Sequence, residues 1–176
     1  MKLVKWLLAV ILVLAAVLVL GGYLVSPRFT VSRSTSIAAP PDKVFALVAD
    51  TRRWKEWTVW NRRDPQMQIE YSGPASGPGA VWSWKSRSEG DGRMTLTAAD
   101  APGRVAYELF FPDFGTTSTG DLTFVADGAG TRVTWTIDGD MGTNPLMRWF
   151  ALGADRLVGP DFAEGLAGLK ALAEKP

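Results

Sequence analysis

Three carboxylates, Asp64, Glu70 and Glu108, and the phenol of Tyr107 are the groups in this sequence best placed for proton transfer. A carboxyl group buried among apolar side chains has a raised pKa and can act as a general acid or base near neutrality. Aldol cyclisation or dehydration of an apolar substrate would need that chemistry and no cofactor. Two features weigh against it. Asp64 directly precedes Pro65, the position of a turn-former or of a partner for Arg62 or Arg63. Glu108 alternates with Tyr107 and Leu109, which puts it on the opposite strand face and predicts exposure. No catalytic residue is therefore assigned. Histidine and cysteine are both absent. Ser-His-Asp, Cys-His and HExxH chemistries are excluded, with disulfides and zinc–cysteine sites. Asp138-Gly139-Asp140 has too few ligands for calcium.

The aromatic residues carry a different message. Seven of the eight tryptophans lie beyond residue 28. Trp82 and Trp84 are two apart and share one face of a strand, as do Tyr107, Leu109 and Phe111 on another. Large rings in consecutive inward positions suit the wall of an apolar cavity. Trp135, between Val133 and Ile137 on one face, fits a cavity wall or ordinary core packing. Phe162 and Leu166, on the last helix, complete the candidate lining.

Arg52, Arg53, Lys55, Arg62 and Arg63 interleave with Trp54, Trp57 and Trp60. Basic residues among aromatics can bind nucleic acid. Here Asp50, Glu56 and Asp64 dilute the patch to +2. Setting Lys2 and Lys5 aside leaves 17 basic against 18 acidic residues, a net −1 for residues 28–176. A solvated face is the expectation, anionic lipid headgroups the alternative, and nucleic acid is not expected as a partner.

Residues 6–25 form an uncharged apolar run of 20 residues. As a helix at about 1.5 Å per residue it spans roughly 30 Å, the thickness of a hydrocarbon core. Trp6 and Tyr23 mark its ends and Leu14 its middle. The run exceeds a signal-peptide core of about 7–15 residues, and no A-x-A cleavage site follows. An uncleaved single-pass anchor over 1–27 is expected, with a cleaved signal peptide as the alternative. Lys2 and Lys5 favour a cytoplasmic N-terminus and an exported domain, although Arg28 and Arg33 follow the span. Gly21-Gly22 lacks a GxxxG pattern and reads as a frayed helix end.

The elements that must position these residues follow from periodicity. Thr30–Ile37 reads as a strand, Pro41 to about Asp50 as a short amphipathic helix, and Arg52–Trp57 as a turn or helix. Thr58–Pro65 reads as loop. Six strands follow at 68–72, 80–86, 93–99, 105–111, 116–126 and 132–139. Tight Gly-containing turns at 89–92, 101–103 and 127–130 join them into an antiparallel meander. A long helix runs from Pro145 to about Glu174 with Phe162, Leu166, Leu169 and Ala173 along one face, and Gly159-Pro160 predicts a kink or two stacked segments. The fold class is α+β: a curved antiparallel sheet of about seven strands around a C-terminal helix, with a cavity between them.

Seven short segments carry a resemblance. They are Ile37–Phe45, Trp54–Trp57, Asp64-Pro65, Tyr71–Pro74, Gly79–Trp82, Gly130–Trp135 and Phe162–Lys170. In that order the chain resembles the SRPBCC superfamily, START-like proteins of the helix-grip fold, and among them the polyketide cyclase/dehydrase type. The resemblance spans nearly all of residues 30–174. It implies a hydrophobic cavity for lipids, sterols, polyketides or other apolar small molecules. It does not imply catalysis, since many members only bind. A membrane-anchored binding protein is the leading expectation. A cofactor-free cyclase or dehydratase, and an envelope interaction module with a vestigial cavity, are the alternatives.

Overall fold

Alternating apolar residues and glycine-rich turns give seven strands, all in one antiparallel sheet of order β1-β7-β6-β5-β4-β3-β2. The structure is a computed structural model that describes residues 2–175. Helix α1 covers Lys2–Leu24 and strand β1 Arg28–Ile37. Helix α2 (Pro41–Ala49), a single 3-10 turn (Thr51–Arg53), α3 (Trp54–Trp57) and α4 (Trp60–Arg63) form the crossover. The meander is β2 (Gln68–Ser72), β3 (Val81–Lys85), β4 (Gly92–Asp100), β5 (Arg104–Phe111), β6 (Thr116–Asp127) and β7 (Gly130–Asp140). Helix α5 (Pro145–Ala173) ends the chain.

Pro41 opens α2 because a proline at the first helical position loses no hydrogen bond. Asn144 caps α5, its side chain accepting from the Leu146 N–H. On α5 the predicted face of Phe162, Leu166, Leu169 and Ala173 is wholly buried. Glycines set how closely this helix approaches. A Cβ at Gly165 would fall 2.8 Å from Cζ3 of Trp135, and one at Gly168 would strike the Trp57 carbonyl.

Three expectations are corrected. The segment taken as loop contains α4, which turns Arg62 and Arg63 toward α5. Of the two alternatives at Gly159-Pro160, the two stacked segments are overturned, since helix α5 runs through as one element. Arg33 braces it there. Its guanidinium makes a two-pronged ion pair with Asp155, at 2.7 and 3.0 Å, and fills the space left by the missing Gly159 side chain. Gly21-Gly22 is not a frayed end. The helix continues to Leu24, and the two glycines let Trp149 and Pro145 of α5 lie against it.

Candidate functional site

The sheet and α5 do not close on each other. Between them lies a cavity of about 320 Å³. Seven of the expected lining residues, Trp82, Trp84, Tyr107, Leu109, Phe111, Trp135 and Phe162, border it. Leu166 does not. It sits one helical turn beyond Phe162, is 1% exposed and packs in the core. Trp54, Trp60, Phe29, Met94, Phe114 and Phe150 also border the cavity, although none is among the expected lining residues. For Trp54 and Trp60 a signal existed: with Trp57 they repeat every three residues, the period of one helix face.

Cross-strand pairing explains how such large rings fit. Three lining aromatics each stand directly opposite a glycine: Trp84 opposite Gly92, Tyr107 opposite Gly120 and Phe29 opposite Gly139. A Cβ on any of these glycines would collide with the facing ring. Each ring therefore lies across the neighbouring strand. The inner wall is built from edge contacts around Trp54, whose ring centroid is 5.8 Å from both Tyr107 and Trp135. Phe162 stacks on Trp135 at 4.0 Å with planes 7° apart.

Polar groups at this wall are few. Trp135 Nε1 donates to the Tyr107 hydroxyl oxygen at 2.8 Å. Burial pushes the Tyr107 phenol far above its ordinary pKa, against the pull of the Trp135 hydrogen bond, so it stays protonated. The indole N–H of Trp82 is buried and has no acceptor. Such a donor is costly to leave unpaired.

A polar rim adjoins the apolar wall. Asp161 accepts from Arg63 at 2.6 Å and from Trp60 Nε1 at 3.1 Å, and Glu89 lies 3.5 Å from Arg63. The Asp161 hydrogen bond holds the Arg63 guanidinium above its ordinary pKa. Neither carboxylate was among the expected candidates. Asp64 forms a turn with Gln66 and accepts from Ser86 Oγ at 2.6 Å, and pairs with neither Arg62 nor Arg63. Glu70 and Glu108 are exposed. The basic patch is largely neutralised: Arg53 pairs with Glu56 and Arg62 with Glu164, at 3.0 and 2.8 Å. Trp6, Leu14 and Tyr23 are exposed along α1, which among the described residues is the one helix long and apolar enough to cross a membrane.

A curved antiparallel sheet gripping a long C-terminal helix, with an aromatic cavity between, defines a helix-grip protein of the SRPBCC class. The sequence over residues 28–174 matches the family of polyketide cyclase / dehydrase and lipid transport proteins, and the chain belongs to that family. Solved structures agree on the fold. A protein from Chromobacterium violaceum has a TM-score of 0.62 at 14% identity, covering 84% of this chain and 99% of its own. One from Mycobacterium smegmatis has 0.58 at 20% identity, covering 84% and 92%. A truncated norcoclaurine synthase from Thalictrum flavum has 0.63 at 12% identity, covering 85% and 95%. No curated protein matches the sequence.

Proposed function

We propose that this chain is a membrane-tethered binding protein for a hydrophobic small molecule or lipid. Residues 1–27 are the anchor and 28–176 the binding domain. The observation that carries the reading is the cavity of about 320 Å³ walled by tryptophan, phenylalanine and tyrosine rings. A cavity of that size holds a small apolar molecule or part of an acyl chain. Its open volume counts against a vestigial cavity filled by its own tryptophans. Family membership supports an apolar ligand.

One observation favours the enzyme reading. Glu89 and Asp161 border the cavity and are its only carboxylates among the described residues. Both are engaged by Arg63, and the Tyr107 oxygen is taken by Trp135. That arrangement suits holding a ligand better than moving its protons.

The test is a fluorescence titration of the full chain in detergent with fatty acids, sterols and polyaromatic compounds. Rings that touch the ligand are quenched or blue-shifted, and Trp82→Ala weakens binding of a ring-bearing ligand. No spectral change across the panel rejects the binding reading. N-terminal sequencing of the membrane fraction tests the anchor: a mature chain starting near Ser26 rejects it.

A further inference from the structure

Beyond α1, six of the seven exposed large apolar side chains among the described residues are gathered in one place: Phe114, Leu146, Trp149, Phe150, Leu152 and Leu157. The seventh, Val125, lies elsewhere, near the end of β6. At 3.6 residues per turn, the five on α5 fall within roughly 160° of its circumference. Ala151, Ala154 and Phe162 on the opposite side are buried. The first half of α5 is thus apolar on its buried side and largely apolar on its outer side, where Arg156 is the charged residue and only the Trp149 edge meets α1.

Helix α1 meets one edge of this face. Trp149 Nε1 donates to the Leu18 carbonyl at 2.9 Å, and its ring lies against Gly21. Arg148 donates to the Tyr23 carbonyl at 3.3 Å and lies 5.7 Å from the Tyr23 ring centroid. Leu18 is six residues before the end of α1, about 9 Å along the axis at ~1.5 Å per residue. With α1 in a bilayer, the indole bonded to Leu18 is below the edge of the hydrocarbon. The exposed face of α5 continues the apolar surface of α1 at that level. Phe114 and Phe150, with ring centroids 6.1 Å apart, belong both to this surface and to the cavity wall.

We propose that the outer face of the first half of α5, with Phe114, is immersed in the lipid bilayer, so that the Phe114–Phe150 rim opens the cavity to the acyl-chain region. The occupant of this surface is lipid. Arg156, exposed on the same half-helix, has a stem long and apolar enough to carry its charge to the headgroup phosphates. The cavity then exchanges ligand with the membrane without passage through water. This inference rests on the anchor reading of α1.

Because the chain has no cysteine, single labels are straightforward. Nitroxides are placed on full-length Leu14→Cys, Phe114→Cys, Leu152→Cys, Leu157→Cys and Val125→Cys. Each variant is reconstituted in vesicles of phosphatidylcholine and phosphatidylglycerol. Relaxation by oxygen, which concentrates in lipid, is compared with relaxation by a water-soluble nickel chelate. Oxygen dominates at 14, 114, 152 and 157, and nickel dominates at 125. Nickel dominance at 114, 152 and 157 with oxygen dominance at 14 overturns the immersion and leaves the anchor standing. Nickel dominance at 14 as well overturns both. Shielding from both reagents at 152 and 157 means that protein, such as a second copy of this chain, covers the face, and also overturns the proposal.

Discussion

Phe162 lies flat on Trp135, ring centroids 4.0 Å apart, and this stack ties α5 to β7 at the wall of the cavity. Both rings are almost fully buried. Phe162→Ala removes the stack and enlarges the cavity. The expected loss is about 3–5 kcal/mol, measured by urea denaturation. Addition of an apolar ligand to the variant restores part of that loss by filling the void.

Gly120 faces Tyr107 across β5 and β6, and a Cβ there would strike the phenol ring. Gly120→Val therefore displaces Tyr107 and costs about 1–3 kcal/mol. It also breaks the Trp135–Tyr107 hydrogen bond. The readout is a lowered thermal midpoint with altered tryptophan emission. A melt equal to wild type contradicts the cross-strand account.

Alkaline pH offers a separate check on Tyr107. Burial raises its pKa in the folded chain above the ordinary value of 10.0. Above that ordinary value the unfolded chain releases a proton that the folded chain keeps. Stability is thus fully present below pH 10 and falls as pH rises toward the folded pKa. The slope is about 1.4 kcal/mol per pH unit from this group. Denaturation curves between about pH 9 and 11 show the decline, and Tyr107→Phe makes it shallower. The variant is also less stable at neutral pH, since Trp135 loses its acceptor.

Leu166 is part of the packed face of α5. Leu166→Asp buries a carboxyl group with no partner and costs several kcal/mol. A thermal melt like that of wild type contradicts the packing.

The strands were legible because alternation and glycine turns are local signals. β2 matches its expected bounds, and the other strands shift by two residues or fewer at either end. Six strand positions that border the cavity were legible from the same alternation, and Phe162 from the spacing of α5. Leu166 was assigned to the cavity because helix spacing identifies a face but not how far along it the cavity extends. Helix α4 is only four residues long, too short for periodicity to reveal. Asp161 and Glu89 come together with Arg63 only through tertiary folding, 98 and 26 residues apart in the chain. The pairing of Trp84, Tyr107 and Phe29 with facing glycines depends on strand register. Register needs the partner strand as well as the sequence of one. The glycines of α1 looked like a weak helix end because their partner, Trp149, lies more than a hundred residues away.

Native mass spectrometry of the full-length protein in mild detergent tests the binding account most directly. Wild type carries a non-covalent apolar adduct that dissociates on collisional activation. Leu109→Trp, which fills the cavity from β5 while keeping an apolar wall, loses the adduct yet retains the wild-type circular dichroism spectrum. An adduct equally abundant in both proteins places the molecule outside the cavity. Wild type bare at every charge state, and bare again after incubation with fatty acids, sterols and polyaromatic compounds, contradicts the account.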